Sequence, residues 1–400
     1  MKLPRIAIVG AGLGGLAAAL ALVRQGHEVA VYEAADALRE VGAGIVVPPN
    51  MVHVLRHLGL DGGLDAFAPR LDAAWEFRRW DDGRVLAVQP MGDECLRQYG
   101  APCHVAHRAD LLHLLQRALP PGVLQLGRRC HGATLRPDGV RLDFDHGAVD
   151  ADLAVGADGI HSVLARAVEA GQAPEPPRFS GLAALRCLVP AERAPPLALR
   201  PVQTLWLGPQ RHFVHYPVSG GRQVNVVAIV PAGDWRDESW TAEGSVDDLR
   251  REFAGWDGRL LQLVDAATQT RRWALYDRQP RTRWVRGALA LLGDAAHAML
   301  PFYAQGAAQA LEDALVLAAC VRGVPAGGLP AALERYDALR RPRADRVLLM
   351  SRGRERRNHL ADGPEQQRRD AELAAGQPLR DSAWLYGHDL EADLSAAARR

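Results

Sequence analysis

The 400-residue sequence has few cysteines and almost no excess charge of either sign. Its five cysteines are scattered, odd in number and without a CxxC pair. This spacing argues against a disulfide framework or a structural zinc site, so we expect no metal and a reducing, cytoplasmic location. With 48 basic and 47 acidic side chains, the chain sets up no field that would attract nucleic acid or an anionic membrane.

A long uninterrupted apolar run is also missing. The N-terminal stretch "MKLPRIAIVGAGLGGLAAALALV" is broken by four glycines, and a helix-then-strand pattern continues after it. We therefore predict a soluble βαβ unit rather than a membrane anchor or a secretory signal. Its parts are a strand at 5–9, a helix at about 14–25 and a strand at 28–32.

The glycines of this unit form the pattern Gly10-x-Gly12-x-x-Gly15 between the strand and the helix. Gly10 permits a tight turn, Gly12 lets a pyrophosphate approach the backbone, and Gly15 allows close helix–strand packing. Glu33 lies about twenty residues further on, at the end of the next strand, where a carboxylate can bind a ribose diol. The pattern predicts a dinucleotide site, and a glutamate favours FAD or NAD over NADP.

The stretch "LLGDAAHAMLPFYAQG" (291–306) places Asp294 and His297 where an apolar strand gives way to helices. A carboxylate at this point can accept hydrogen bonds from the ribityl hydroxyls of FAD. Gln305-Gly306 opens a helix whose positive end can face the flavin, where reduction places negative charge. The two features together favour FAD over NAD. Taken alone, Asp294 could also be a helix cap, and we expect His297 to support the turn.

The remaining pattern predicts an α/β fold in discontinuous parts. Residues 74–99 and 180–280 have strand-like pieces, with Asp82-Gly83 as a hairpin turn, whereas 107–119 is helical and the segment after 305 is mainly helical. Eight arginines at 340–357 suggest a solvated helix face or a subunit contact. We predict a Rossmann-like domain, with a parallel sheet and C-terminal helices, at 1–73, 100–178 and 281–375. An antiparallel β-sheet substrate domain at 74–99 and 179–280 is inserted through it, and 376–400 form a tail.

Three motifs in this order resemble those of the class A flavoprotein monooxygenases, the single-component aromatic hydroxylases. They are GxGxxG with Glu33, "GADGIHS" (156–162) and "GDAAHAMLPFYAQGAAQALEDA" (293–314). Finer features are similar to salicylate hydroxylases, 3-hydroxybenzoate 6-hydroxylases and 6-hydroxynicotinate 3-monooxygenases. They are "GAGI" (42–45), "HR" (107–108), "RHFVHYP" (211–217), "YDRQP" (276–280) and "WLYGHD" (384–389).

The resemblance implies bound FAD, with NADH or NADPH as a transient co-substrate that has no Rossmann domain of its own. Arg108 is expected near the pyrophosphate, Asp294 on the ribityl or pyrophosphate region, and the Asp158-Gly159 turn near both FAD and the nicotinamide. The expected cofactor residues are Gly10, Gly12, Leu13, Gly14, Gly15, Glu33, Ala34, Val46, Arg108, Asp158, Asp294, Gly306 and Ala307.

The resemblance also implies that reduced flavin reacts with O₂ to give a hydroperoxide with an electrophilic distal oxygen. A phenolate ring attacks that oxygen readily, but a free phenol ionises only near pH ~10, so a base is needed. If "RHFVHYPV" is a strand, His212, Val214 and Tyr216 share one face, and the two polar residues are roughly 13 Å apart at their Cα atoms. The resemblance makes His212 the base and Tyr216 an orienting partner. Without the resemblance, we would interpret His212 as a structural histidine of the sheet with its hydrogen bonds satisfied, and Tyr216 as an aromatic residue of the core.

The expected substrate is a small phenolic acid such as 3-hydroxybenzoate or salicylate. Arg186 could bind its carboxylate or form a structural ion pair, and Pro301 and Phe302 should border the ring. A hydroxylase of an N-heteroaromatic acid such as 6-hydroxynicotinate, and a flavin-binding protein without hydroxylase activity, remain alternatives. We expect a monomer or homodimer.

The sequence departs from the family pattern at several places. Ala165 stands where relatives have arginine, with Arg166 displaced by one residue; Val46 removes a polar contact; and Cys103 replaces a tyrosine found in some relatives. These departures leave open the position hydroxylated and the choice between NADH and NADPH.

Overall fold

The computed structural model describes residues 3–38, 44–171, 175–238 and 242–398. Within these ranges, no helix is both long enough and apolar enough to cross a membrane. The first two residues of "GAGI" (42–45) lie outside the described residues.

Nineteen strands are described, and the numbering below follows the chain. They are β1 (Arg5–Val9), β2 (Glu28–Tyr32), β3 (Gly44–Val47), β4 (Ala73–Arg79), β5 (Val85–Pro90), β6 (His104–His107), β7 (Leu124–Gln125), β8 (Cys130–Arg136), β9 (Gly139–Phe144), β10 (Gly147–Ala151), β11 (Leu153–Gly156), β12 (Arg178–Pro190), β13 (Val202–Gly208), β14 (Arg211–Val218), β15 (Gln223–Pro231), β16 (Glu243–Gly244), β17 (Thr270–Asp277), β18 (Val285–Arg286) and β19 (Leu289–Leu291).

The α-helices in the described residues vary from single turns to a helix of 30 residues. They are α1 (Leu13–Arg24), α2 (Pro49–His57), α3 (Asp93–Tyr99), α4 (Arg108–Arg117), α5 (Leu164–Val168), α6 (Val246–Glu252), α7 (Gly258–Ala266), α8 (Asp294–His297), α9 (Gly306–Val321), α10 (Leu329–Asn358), α11 (Pro364–Ala375), α12 (Pro378–Asp381), α13 (Ala383–Tyr386) and α14 (Leu390–Ala397).

The N-terminal strands belong to a six-stranded sheet in the order β18-β19-β11-β1-β2-β7. All of its pairings are parallel except that of the edge strand β18. The predicted strands at 5–9 and 28–32, and the helix between them, are confirmed. Carboxyl ends of parallel strands lie at one edge of a sheet, so the residues after β1, β2, β11 and β19 are brought together. Those segments are the glycine turn, Glu33, the Asp158 turn and the Asp294 turn.

A second sheet has eight strands in the order β16-β17-β12-β15-β14-β13-β4-β5, and among the described residues its only parallel pairing is β4 with β13. As predicted, it combines two distant parts of the sequence, and its strands lie within 73–90 and 178–277. Helices α3, α6 and α7 also lie in these parts, beside the strands that the sequence pattern indicated. Leu249 and Leu263 of α6 and α7 are buried in the apolar cluster behind this sheet. The N-caps Ser245 and Asp257 were the sequence signals for these helices.

The prediction that the arginines at 340–357 form a solvated helix face is wrong for several of them. Arg340 is fully buried and pairs with Glu312 and Asp313 of α9. Arg343 also pairs with Glu312, and Arg354 packs against aromatic rings. These arginines are buried because α10 packs against α9, whose acidic residues are themselves buried.

Candidate active site

A cavity of about 360 Å³ is lined by residues of the eight-stranded sheet, of β3, of the loops that follow β11 and β19, and of α1, α4, α8 and α9. Most residues expected to bind cofactor or substrate meet there. Those that line it are Gly12, Leu13, Gly14, Gly15, Val46, Arg108, Arg186, His212, Tyr216, Asp294, Pro301, Phe302, Gly306 and Ala307. Gly10, Glu33, Ala34 and Asp158 are not among the described lining residues.

The glycine turn requires its glycines for different reasons. Gly10 has φ of +104°, and a Cβ there would lie 2.2 Å from the carbonyl oxygen of Ala157. A Cβ at Gly15 would lie 2.0 Å from the carbonyl oxygen of Gly10, so helix α1 packs directly on the turn. A Cβ at Gly12 would meet no atom of the described residues within 4 Å and would occupy cavity space. The first turn of α1 therefore presents its backbone N–H groups to the cavity, where an anion can accept them.

Glu33 is fixed beside this turn. Its two carboxylate oxygens accept hydrogen bonds from the backbone N–H groups of Ala11 (2.8 Å) and Ala35 (2.9 Å). Ala34 follows in the same loop. Because each carboxylate oxygen can accept more than one hydrogen bond, the side chain can also accept from ribose hydroxyls.

Arg108 and Asp294 place opposite charges on the cavity wall. Arg108 is the first residue of α4, and Asp294 the first of α8. Burial lowers the pKa of Arg108, and attraction to Asp294 opposes that effect. A guanidinium and a carboxylate in this arrangement can bind a phosphate and a sugar-alcohol chain, respectively.

Asp313 of α9 stabilises the turn that carries Asp294. Its carboxylate accepts from the backbone N–H of Gly293 (3.0 Å) and Nε of Arg340 (2.9 Å), and lies 2.6 Å from Nε2 of His297. Burial would raise the pKa of Asp313, but His297 and Arg340 hold it below its usual value. His297, which is fully buried, thus supports the turn through Asp313 and not through Asp294.

Helix α9 begins at the cavity. Gly306 and Ala307 line it, and a Cβ at Gly306 would come no closer than 3.9 Å to Met299. The helix has 16 residues, so the positive end of its dipole points at whatever occupies this part of the cavity.

Asp158 lies in the turn that follows β11. Its carboxylate accepts from the Ser162 hydroxyl (2.6 Å) and from the backbone N–H of Val163 (2.7 Å), so it holds its own turn together. Gly159, not Asp158, lines the cavity. Arg166, the displaced arginine, is exposed on α5.

The eight-stranded sheet supplies the other wall. His212, Val214 and Tyr216 of β14 line the cavity, as the alternation of a strand predicts. Phe213 and His215 lie on the opposite face, with ring centroids 6.4 Å apart.

His212 makes a hydrogen bond to another histidine. Its Nδ1 lies 2.6 Å from Nε2 of His359, and the Phe302 ring stands edge-on to it at 5.5 Å between centroids. Burial lowers the pKa of His212 well below its ordinary value, and His359 and Arg354 add to the effect. His212 is thus a neutral imidazole near neutral pH, with Nε2 left for a ligand.

Arg186 reaches the same face of the sheet from β12, two strands away. Val227 of β15 lies between, paired with both Val214 and Arg186. The guanidinium lies 3.8 Å from the ring centroid of Trp273. Burial lowers the pKa of Arg186 to about 10, so it stays a cation at neutral pH. Burial also raises the pKa of Tyr216, which keeps its phenol protonated and able to donate.

Sequence reasoning missed several lining or supporting residues, among them Trp75, Gln203, Asn358 and His359. Gln203 could have been found, because it alternates with the cavity-lining Leu205 on β13. Trp75 lines the cavity from an irregular part of β4, where its φ is +59°, and no sequence signal marks it.

The residues of the cavity fit FAD. A phosphate can lie on the open side of Gly12, beside the start of α1, where no side chain caps the helix. The Arg108 guanidinium can neutralise the negative charge of that phosphate. A second uncapped helix start at Gly306 faces the same cavity.

Comparison with known proteins also indicates an FAD-binding protein. Residues 4–351 match the family described as FAD binding domain. The chain is 42% identical to a 3-amino-4-hydroxybenzoate 2-monooxygenase of Streptomyces platensis, over 96% of each chain. It is 44% identical to an enzyme of that name from Streptomyces cremeus, over 96% of this chain and 95% of the other.

Two further similarities extend the comparison. A 6-hydroxynicotinate 3-monooxygenase of Pseudomonas fluorescens is 38% identical over 87% of this chain and 90% of its own. A salicylate hydroxylase in complex with substrate superposes with a TM-score of 0.84 at 30% identity, covering 100% of this chain and 99% of the other. The chain belongs to the FAD-binding domain family and is a class A flavin hydroxylase, an FAD-dependent monooxygenase that uses NADH or NADPH.

Proposed function

We propose that the protein hydroxylates a small hydroxylated benzoate, and that an aminohydroxybenzoate such as 3-amino-4-hydroxybenzoate is its substrate. The observation that carries this proposal is the wall formed by the eight-stranded sheet. It combines a neutral acceptor (His212), a phenol donor (Tyr216) and a buried cation (Arg186) in one cavity. The relatives at 42% and 44% identity act, by name, on an acid of this class.

Arg186 binds the carboxylate of the acid. Trp273 holds the guanidinium plane, and a planar guanidinium can donate two parallel hydrogen bonds to a carboxylate. His212 and Arg186 are separated by two strand spacings across the sheet, about 10 Å, and by two residues along the strands, about 7 Å, which leaves room for one aromatic ring between their side chains.

His212 accepts a hydrogen bond from the ring substituent that enriches the attacked carbon. In 3-amino-4-hydroxybenzoate, carbon 2 is adjacent to the carbon that bears the amino group. When the nitrogen lone pair is delocalised into the ring, the N–H groups of the amino substituent become more acidic. The neutral imidazole of His212 stabilises this more acidic group by accepting a hydrogen bond from it. Tyr216 donates to the substrate on the same side of the sheet.

Bound FAD, once reduced by NADH or NADPH, supplies the electrons that activate O₂ for insertion of one oxygen atom into the ring. The glycine turn from Gly10 to Gly15 and Arg108 hold its pyrophosphate. Glu33 and Ala34 hold the ribose, and Asp294 binds the ribityl hydroxyls. Val46, Gly306 and Ala307 would border the flavin ring, and Pro301 and Phe302 would exclude water from the site.

A second candidate substrate is an N-heteroaromatic acid such as 6-hydroxynicotinate, which the relative at 38% identity acts on by name. It also presents a carboxylate and a hydroxyl group. The test is a panel of 3-amino-4-hydroxybenzoate, 4-hydroxybenzoate, 3-hydroxybenzoate, salicylate and 6-hydroxynicotinate. Stimulated oxidation of NADH and NADPH is measured for each acid, and the products are identified by mass. We expect the highest kcat/KM and a hydroxylated product with 3-amino-4-hydroxybenzoate. A higher kcat/KM with 6-hydroxynicotinate would favour the second candidate, and no stimulation by any acid would refute both.

A further inference from the structure

Two imidazoles meet at the substrate wall of the cavity. Nδ1 of His212 lies 2.6 Å from Nε2 of His359, and their ring centroids are 4.9 Å apart. Phe302 packs edge-on against both rings. His212 lines the cavity, whereas His359 is not among the described lining residues. His359 therefore acts on the cavity through His212.

The position of His359 is tied to the strand that carries His212. His359 is the C-cap residue of α10, and its carbonyl oxygen accepts from the backbone N–H of Gln210 (3.0 Å). Gln210 immediately precedes β14. The two imidazoles are thus held together by backbone contacts as well as by their own hydrogen bond.

The surroundings keep both rings neutral. Arg354 faces His212, and Arg211, which pairs with Glu252 at 3.0 Å, faces His359. Burial, aided by Arg211, lowers the pKa of His359 to about 4. His212 cannot store a proton taken from a substrate, because its imidazolium would be fully buried beside Arg354. It must pass the proton on.

We propose that His359 is a positioning residue that completes a two-imidazole proton relay between the substrate and the outside of the protein. The inference rests on the proposed function, since it takes His212 as the base. In the resting state, Nδ1–H of His212 donates to Nε2 of His359. This leaves Nε2 of His212 as an acceptor towards the cavity.

The proton transfers balance, and both imidazoles are neutral again at the end. A proton from the substrate moves to Nε2 of His212, the Nδ1 proton of His212 moves to Nε2 of His359, and the Nδ1 proton of His359 leaves to water. One proton enters the pair and one leaves it, and no electrons are exchanged. His359 is only half-buried, so water can receive the proton.

The resting tautomer is tested without substrate. Nitrogen NMR on the FAD-bound protein, labelled at its histidines and assigned with His212→Asn, identifies which ring nitrogen of His212 carries hydrogen. We expect Nδ1 to be protonated, and to remain so in His359→Gln, whose amide oxygen can still accept. A proton on Nε2 of His212 would overturn the proposal, because His212 would then be a donor to the cavity.

The transfer step is tested with His359→Gln and 3-amino-4-hydroxybenzoate, since an amide can accept from His212 but cannot pass a proton on. We expect kcat for coupled hydroxylation at neutral pH to fall roughly tenfold or more and to rise with pH, while KM stays within about twofold. Added imidazole should partly restore His359→Ala. The matched control is His131→Gln, which replaces an exposed histidine paired with Asp145.

A wild-type kcat and pH profile in His359→Gln would overturn the relay. If the wild-type enzyme itself does not hydroxylate this acid, the proposed substrate fails, and the tautomer of His212 still decides whether the pair is arranged for relay.

Discussion

Gly44 and Tyr216 are in direct contact: a Cβ at position 44 would lie 2.6 Å from Cε2 of the Tyr216 ring. The same Cβ would lie 2.6 Å from Cγ of Asn225, whose Oδ1 accepts from the backbone N–H of Gly44 (2.6 Å). Strand β3, which lines the cavity through Gly44 and Val46, therefore packs on the strand that carries Tyr216 only because residue 44 has no side chain.

We predict that Gly44→Ala displaces the Tyr216 ring and raises KM for the aromatic acid about tenfold, since overpacking of this kind costs ~1–3 kcal/mol. Steady-state kinetics with the purified FAD-bound variant measures this. Gly132→Ala is the control, because a Cβ there meets no atom of the described residues within 4 Å. An unchanged KM in Gly44→Ala would show that Tyr216 does not orient the substrate.

Glu33→Ala should weaken FAD binding. The carboxylate both holds the glycine turn and faces the expected ribose, and hydrogen bonds to a charged group contribute ~1.5–3 kcal/mol each. We expect Kd for FAD to rise at least tenfold when FAD is titrated into the deflavinated protein and followed by flavin fluorescence. Glu28→Gln, an exposed residue at the start of β2, should bind FAD like the wild type. Equal affinities in the two variants would remove Glu33 from the cofactor site.

Arg340→Met should destabilise the protein by about 3–5 kcal/mol, because it leaves two buried carboxylates, Glu312 and Asp313, without their shared cation. Urea unfolding at one fixed, saturating FAD concentration measures the difference. Arg356→Met, on the exposed side of the same helix, is the control and should change stability little. A loss below ~1 kcal/mol in Arg340→Met would contradict the structural role of this ion cluster.

Acid should destabilise the fold through buried neutral histidines. Burial lowers the pKa of His215 from 6.5 to about 3, with Arg78 adding to the effect. Below pH 6.5 the unfolded chain gains a proton at this residue that the folded protein does not gain. Stability is therefore lost as pH falls, by up to ~1.4 kcal/mol per pH unit, or about 2 kcal/mol at pH ~5.

The free energy of unfolding at pH ~7.5 and ~5 should therefore differ less in His215→Phe than in the wild type, by about 2 kcal/mol. Comparing the two pH values within each variant cancels the effect of the substitution itself. An equal pH dependence in both proteins would show that His215 is protonated in the folded state.

Sequence reasoning succeeded where the determinants are local. The strand–turn–helix order around Gly10 and Gly15 and the alternation of His212 with Tyr216 follow from a few neighbouring residues, and the structure has both features. The carboxyl edge of the parallel sheet then brings the glycine turn, Glu33 and Asp294 to one side without further information.

It failed where the determinant is a contact between distant segments. His359 lies 147 residues from His212, and nothing in the local pattern of α10 connects them. Likewise, the burial of Arg340 depends on which helix packs against α10, not on the composition of its own helix.

The most direct test of the account is coupled turnover in wild-type and His212→Asn enzymes with 3-amino-4-hydroxybenzoate, NADH and isotopically labelled O₂. We predict that the wild type places one labelled oxygen atom in the product for each NADH consumed. His212→Asn should retain FAD but form product about 10²- to 10⁴-fold more slowly. Labelled product formed at the wild-type rate by His212→Asn would contradict the account.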